Sequence, residues 1–536
     1  MSQKYRIIAS DLLLVGLLVL LFFSGHAHNS QGANIYLYNV QIMAAIYFAA
    51  RIIKTITPKL FFYLLLTTII VSSLFETYYG LMQILGLKIS NHHMFACTGS
   101  FINPGPYGGF LAICICLLGI YSLKCHNKIL HYITGIAALL AFILLPSTRS
   151  RTAMLAIACA FLVYLLSTEK GKFFFRKRLL LITIISALCC AGAYKLKKPS
   201  ADGRIFMDRI SMRSILQNGL LGAGLGHFGG TYGDSQYQFF MEKYAKDSNN
   251  VIDPQILSDP NRLTADCPKY AFNEYLQLGV EAGPLAMVLF IALIINSIII
   301  SYKRNEIWCY GLLALAVFAL FSYPMHIVEF RVMLVLLLAA CTTSYNKGQV
   351  SNIVLMLIVL CAMVTVLIDS HDKIRSSKEA ATIWEETSKW YKIKKYEYLV
   401  EDGESLIDDM NHDEKFLFMY GQSLNKTGNH LKSDSILKMG TELSSDPMFW
   451  NVMGNNSLAL GKYREAEERY KHAFYMVPNR LYPLCLLAKL YHTEGDSVRF
   501  LEMSDMIETF IPKVESVNTE QLRAEIRELK ASYISE

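Results

Sequence analysis

The sequence predicts an all-α protein, a polytopic transmembrane helix bundle followed by a helical-repeat domain, and three observations carry that prediction. Of 536 residues, 53% are hydrophobic and 18% charged, with a mean hydropathy of +0.31, too apolar for an average soluble protein and too long for one domain. About eleven apolar runs long enough for a bilayer core lie between Ile7 and Ile368. Beyond Asp369 the acidic residues gather, composition turns soluble, and a repeat period appears. The expected domains are therefore 1–369 and 370–536, with one long polar loop, 195–269, interrupting the first.

The apolar runs are Ile7–Phe23, Ile35–Ala50, Leu60–Gly80, Gly108–Leu123, Leu130–Leu145, Thr152–Ser167, Leu179–Tyr194, Tyr270–Ser301, Trp308–Ser322, Met325–Cys341 and Ile353–Ile368. Several sit near the lower limit of about 17–20 residues for a spanning helix. The first, behind Lys4 and Arg6, also has the form of a secretory signal. The 12 cysteines follow no metal spacing, and many lie inside apolar runs as small hydrophobes, so no disulfide framework is read. The net charge of +7 is accounted for largely by clusters between spans and calls for no nucleic acid.

Orientation follows from those clusters, because short cytoplasmic connections carry the Lys and Arg excess. With the N-terminus cytoplasmic, every second connection is basic: Arg51 to Lys59, Lys124 to Lys128, Lys170 to Arg178, Lys303-Arg304 and, weakly, Lys347. The alternate connections are nearly free of positive charge. The 195–269 loop and the C-terminal domain then lie outside the cytoplasm.

Two places break this pattern. Arg149 and Arg151, in Ser147-Thr148-Arg149-Ser150-Arg151, sit at the outer mouth between the fifth and sixth spans. They read either as headgroup snorkels or as an anion site, since guanidinium binds phosphate in a bidentate, always-charged way. Lys195, Lys197 and Lys198 read as phospholipid contacts. Gly and Pro in Gly99 to Gly109 interrupt helix, and irregular backbone at membrane depth lines a polar cavity or is buried in protein, so Asn103 is a candidate site residue beside an ordinary turn reading.

Inside the polar loop, a helical stretch over Ile205–Leu216 carries Arg209 and Arg213 and ends in Gly219 to Phe228. The exposed backbone of Gly224 and Gly226 could meet phosphate or sugar, but no nucleotide-binding strand flanks it. Tyr232, Tyr237, Phe239, Phe240 and Tyr244 form an aromatic-rich amphipathic piece, read as anchoring or packing ahead of sugar stacking. Asn273-Glu274-Tyr275-Leu276-Gln277 marks re-entry into the membrane, where buried polar groups serve as caps or as a site.

The order of Gly80…Gln83…Gly86, Phe101-Ile102-Asn103-Pro104, Ser150-Arg151-Thr152, Gly203-Arg204, Gly222-Ala223-Gly224-Leu225-Gly226-His227-Phe228 and Phe272-Asn273-Glu274-Tyr275-Leu276…Glu281…Gly283 resembles the O-antigen ligase and polymerase superfamily. The likeness covers roughly Leu60–Cys341 and is greatest to Bacteroides-type variants with a C-terminal repeat domain. It implies an inner-membrane enzyme that moves a glycan from a polyprenyl diphosphate carrier to a periplasmic acceptor, which is a lipid, another glycan or a protein hydroxyl. It further implies that Arg151 and Arg204 hold the diphosphate, with Arg149, Arg209, Asn103, Gly224, Gly226 and Asn273 as substrate-binding candidates. The family pattern places His immediately before the Asn of the re-entry motif, where this chain has Phe272; Glu274 and His227 are the candidate substitutes for a base. The sugar–diphosphate linkage supplies the energy, so no ATP, nucleotide sugar or other cofactor is implied, and no metal ligand set is visible.

In the last domain, Trp450, Met453-Gly454, Ala466, Tyr470, Ala473 and Pro478 fit the tetratricopeptide pattern of about 34 residues. One period on lie Leu484, Leu487-Ala488, Tyr491 and Pro512. Phe416–Pro447 forms a more degenerate pair, and Lys378–Met410 a further one. Such a solenoid binds a peptide or protein partner on its concave face, here a periplasmic one, or acts as a stabilising cap. Ligase, polymerase and protein O-glycosylating enzyme stay open within the class. A lipid-linked glycan transporter is the alternative outside it, although its ionisable residues belong near mid-membrane; a mere anchor for the repeats would not need eleven spans.

Overall fold

The computed structural model describes residues 9–27, 31–168, 198–245, 252–342 and 375–535, with Leu357, Cys361 and Val364. The expected span Leu179–Tyr194, the Lys170 to Arg178 cluster, Lys195, Lys197, the boundary near Ser370 and all but three residues of the expected span Ile353–Ile368 lie outside the described residues. Within them the chain is helical without strands, and it is a multi-pass membrane protein. The bundle comprises α1 (Ala9–Ala27), α2 (Gln31–Ile56), α3 (Pro58–Ile84), α4 (Pro104–Lys124), α5 (Lys128–Leu144), α6 (Arg151–Ser167), α9 (Glu274–Lys303), α10 (Trp308–Ala319) and α11 (Val328–Cys341), and the polar loop contributes α7 (Lys198–Gln217) and α8 (Phe228–Tyr244).

Among the described residues six helices are long and apolar enough to cross a membrane, counting α5 with its following 3-10 turn; α6 and α10 are shorter apolar helices. The expected run Trp308–Ser322 gives only Trp308–Ala319, and Met325–Cys341 begins as helix at Val328, because Pro324 sits in a 3-10 turn between them. Local chemistry sets the other boundaries. Pro58 and Pro104 open α3 and α4 at positions where the missing N–H costs nothing. Asn127 and Ser150 cap α5 and α6 through their side chains. Helix α4 is buried at almost every position and packs against α3, α5, α6 and α10, so its continuous apolarity is that of a central helix rather than a lipid-facing one.

The two ends of the bundle differ. At one, Lys124 donates to Asn305 in the α9–α10 turn, and Arg51 pairs with Asp11 at 3.2 Å. Lys54 reaches the carbonyls of Ala339, Ala340 and Thr342 at the end of α11, where a cation meets orphan acceptors and the negative end of the helix dipole. Arg51 and Lys54 are thus buried fasteners, not loop-surface charges. The opposite end carries Asn103, Arg151, Asn273 and the α7–α8 loop.

The C-terminal part stacks antiparallel helices: 375–392 (α12), α13 (Tyr396–Met410), α14 (Glu414–Lys426), α15 (His430–Thr441), α16 (Met448–Ala459), α17 (Tyr463–Met476), α18 (Tyr482–Glu494), α19 (Ser497–Thr509) and α20 (Val517–Ser535). This stack is docked on the polar loop through main-chain groups at the ends of its second helices. Gln236 on α8 donates to Met476 O at 2.5 Å, and Arg262 donates to Pro478 O at 3.4 Å and Ile511 O at 2.8 Å. Gly229 and Gly230 lie so close to the carbonyls of Leu443 and Glu442 that an added Cβ would sit 2.3 Å from either oxygen. The aromatic piece of the loop is packing: Tyr237 stacks on His472 at 3.8 Å, which stacks in turn on Trp450 at 3.7 Å.

Candidate functional site

Polar residues of α3 build the first wall. Gln83 Oε1 accepts from the N–H groups of Thr98 and Gly99, both at 2.9 Å, and its Nε2 donates to Gly99 O at 3.0 Å. Glu76 accepts from the Ser100 N–H at 3.0 Å and from its hydroxyl at 2.6 Å. The irregular backbone before Pro104 is thereby satisfied inside the bundle. It delivers Asn103 to the start of α4, where its amide donates to the Tyr323 hydroxyl at 3.1 Å.

The second wall is the start of α6. A 3-10 turn over Leu145–Thr148 ends at Arg149 in the left-handed region, φ +50°, and Ser150 then caps α6 with Arg151 as its first residue. Thr148 and Ser150 press on Gly108, so the N-termini of α4 and α6 adjoin. The third is the start of α9, capped by Asn273, whose Oδ1 accepts from Leu276 N–H at 3.3 Å; Phe272 before it is also left-handed, φ +51°. Three helix N-termini thus contribute positive dipole ends to one region.

Helix α7 closes this region from above. It begins at Lys198 rather than Ile205, which places Gly203 inside the helix and Arg204 and Asp208 one turn apart. Arg204 donates to Phe321 O at 3.0 Å, and its guanidinium stands 5.4 Å from the Phe272 ring. Burial, and then the like charge of Arg151, hold its pKa below the ordinary value; the two arginines therefore share one electrostatic site. Asp208 is pushed up to about 6 by burial, against the opposing pull of Arg204 and of the nearby Asn273 amide. Phe272 and Tyr270 both pack on Tyr323, at 5.3 and 5.1 Å, giving the site an aromatic wall.

This chain of contacts joins Arg204, Asn103 and Asn273, and Arg151 is tied to it through its charge on Arg204. Arg149 is exposed two residues before Arg151, and Arg209 is exposed on a different face of α7 from Arg204. The other candidates have other duties. Glu274, the candidate base, is buried, and its carboxylate accepts from Met325 N–H at 2.6 Å, tying it to the Pro324–His326 turn. The glycine-rich stretch is tied down likewise. Ala223 and Gly224 donate their N–H groups to Val280 O and Glu281 O, at 2.8 and 3.0 Å, carbonyls left unpaired because α9 breaks at Gly283, φ +88°, before Pro284. The Glu281 carboxylate accepts from Gln277 Nε2 at 3.1 Å, and Gly224, its N–H given to Glu281 O, has no amide to spare for phosphate. His227 is half-buried at the start of α8 with Nδ1 3.2 Å from Leu225 O. Asp208 was missed in the sequence; an acid four residues after an arginine on a helix was the available signal.

Residues 136–291 match the family model described as O-antigen ligase. The matched stretch holds Arg151, Arg204, Asp208, Asn273 and the break in α9. No curated protein matches the chain.

Proposed function

We propose, for a membrane protein of the O-antigen ligase superfamily, that the outer-end site transfers a glycan from a polyprenyl diphosphate carrier to an acceptor hydroxyl in the periplasm. The observation that carries this reading is the pairing of Arg204 with Arg151 over three helix N-termini, with Asp208 as the acid beside Arg204. Two guanidinium groups and converging backbone N–H ends suit a diphosphate.

In the proposed reaction, the acceptor oxygen forms a bond to the anomeric carbon as the bond from that carbon to the diphosphate oxygen breaks. The electron pair leaves with the polyprenyl diphosphate, whose charge Arg151 and Arg204 stabilise, and the sugar configuration inverts. Asp208 takes the hydroxyl proton. Lying near Asn273, which directly follows Phe272, it supplies from α7 the base that the re-entry motif lacks. Asn103 and the wall of Phe272 and Tyr323 orient the donor sugar. The repeat stack, docked on the same loop, is read as periplasmic and tetratricopeptide-like, and as a platform for a protein partner.

The same end-on placement of charge argues against a transporter. A chamber of about 140 Å³ between α1, α2, α9 and α11 has Glu274, Glu281, His326 and Arg331 among its lining, yet Glu274 is bound to the Pro324–His326 turn and Glu281 to Gln277 on its own helix. Its remaining wall is leucine-rich. Transfer from a lipid-linked oligosaccharide to candidate acceptors by purified protein tests the proposal. Arg151→Ala and Arg204→Ala should each lose about 10²-fold or more in rate; unchanged transfer by both removes the diphosphate clamp.

A further inference from the structure

The turn between α10 and α11 is tied to the site from several sides. Phe321 O accepts from Arg204 at 3.0 Å, Met325 N–H donates to the Glu274 carboxylate at 2.6 Å, and the His326 ring lies 4.1 Å from that of Tyr270. Tyr323 stands between these anchors. Tyr270 stacks on its ring at 5.1 Å, and Phe272 meets it nearly at right angles at 5.3 Å. Pro324, next in the chain, restricts its backbone. A side chain held in this way has its hydroxyl placed before any ligand arrives.

That hydroxyl lies at the start of α4. It accepts from the Asn103 amide at 3.1 Å, and among the described residues its own proton has no acceptor. Backbone donors are scarce there. A helix leaves its first N–H groups unpaired, but Pro104 and Pro106 have none, and Tyr107 N–H turns back to Asn103 O at 3.3 Å. Gly105 N–H remains, with open space where a Cβ would stand. An anion at this helix end therefore gains a second donor from the phenol. Farther along α4, Thr148 and Ser150 press on Gly108, which brings the Arg151 end of α6 to one side of the hydroxyl. Phe272, between the Tyr323 ring and the Arg204 guanidinium, marks the other.

We propose that the Tyr323 hydroxyl is a catalytic hydrogen-bond donor to the diphosphate oxygen that departs from the anomeric carbon. The assignment rests on the glycan-transfer reading above. In the bound donor that oxygen bridges carbon and phosphorus and is a poor acceptor. As the carbon–oxygen bond breaks, the electron pair moves onto it and the hydrogen bond strengthens. The phenol keeps its proton, because a diphosphate oxygen is much the weaker base, and burial holds the Tyr323 hydroxyl above its ordinary value. A bond that is stronger in the transition state than in the bound donor raises kcat and leaves KM alone.

The test compares full-length parent protein in nanodiscs with Tyr323→Phe, which keeps the ring and its packing. With a polyprenyl diphosphate oligosaccharide as donor, kcat should fall about 10²-fold while the donor KM stays unchanged. Free polyprenyl diphosphate carries in full the charge that develops on the departing oxygen, so its inhibition of Tyr323→Phe should weaken about tenfold. The pH dependence of transfer should keep its shape, since the phenol stays neutral. A hydroxyl that only shapes the site would move donor KM and product inhibition together, and that result overturns the assignment. A parental kcat or a displaced pH profile overturns it too. Arg151→Ala and Arg204→Ala are measured alongside: losses in both with a parental Tyr323→Phe would remove the hydroxyl and leave the diphosphate clamp standing. No transfer by the parent protein would fail the glycan-transfer reading and the hydroxyl with it.

Discussion

Replacing Asp208 by Asn keeps the size and most of the hydrogen-bonding shape of the side chain while removing its basicity. Burial raises the Asp208 carboxyl to about 6, and Arg204 and Asn273 restrain it there. The group is therefore mostly ionised at pH 7 and about one-tenth ionised at pH 5. If it accepts the acceptor's proton, transfer should rise with pH through about 6 and level off above. A general base of this kind contributes about 10²- to 10⁴-fold, so Asp208→Asn should lose that factor at pH 7 and lose the acidic limb with it. Arg204→Lys should keep the limb, whereas Arg204→Ala, besides its own loss in rate, should move it to higher pH, because the positive charge that lowers Asp208 is gone. The assay is the initial rate of glycan transfer from a lipid-linked donor between pH 5 and 8, with donor saturating. An Asp208→Asn protein that retains parental rate and the same pH profile would refute the assignment.

Gly283→Ala should destabilise the bundle. An L side chain at φ +88° is strained, and its Cβ would fall 1.9 Å from Leu220 O. Left-handed backbone at about 1–2 kcal/mol and the bonds from Ala223 and Gly224 at about 1 kcal/mol each together give ~3–4 kcal/mol, visible as a lowered Tm in detergent. Acid should loosen the docked repeats: His472 is held down to about 3 by burial, so its neutral form's stability is fully present above its unfolded pKa and lost as pH falls below that value. The slope is about 1.4 kcal/mol per pH unit, or ~2 kcal/mol by pH 5, read from thermal unfolding of the full chain; His472→Phe should flatten it. Cysteine labelling from outside the cell should reach sites introduced at Gly226 and Trp450 after permeabilising only the outer membrane, and cytoplasmic reactivity of either would sink the proposed topology.

What the sequence disclosed and what it hid divide along chemical lines. Apolar runs, the polar interruption and the paired C-terminal helices were legible because each leaves a composition or a period. Arg151, Asn103 and Asn273 stood out at boundaries where Pro, Gly or a cap breaks a helix, and Arg204 through the motif that carries the family resemblance. Asp208 did not, because its partner Asn273 lies on another element, and because the helix starts at Lys198, earlier than Gly203 suggested. The glycine-rich stretch looked like an anion loop since nothing local says that its N–H groups serve α9. That requires knowing that the break at Gly283 exposes carbonyls opposite Gly222. Likewise nothing local to Glu274 showed that it accepts from Met325 N–H. The docking of the repeats was invisible for a plainer reason: its acceptors are main-chain oxygens, which every residue possesses.

Those oxygens have an evolutionary consequence. The contacts at Glu442 and Leu443, at Met476 and Pro478, and at Ile511 fall in three successive inter-repeat turns, so the polar loop behaves as a ruler graduated in repeats. Side-chain drift leaves the acceptors in place. A deletion of one helix pair, or an insertion of a few residues between Gly229 and Arg262, would shift the graduations out of phase. Lengths of loop and array should therefore change together among related chains, even where their sequences have diverged.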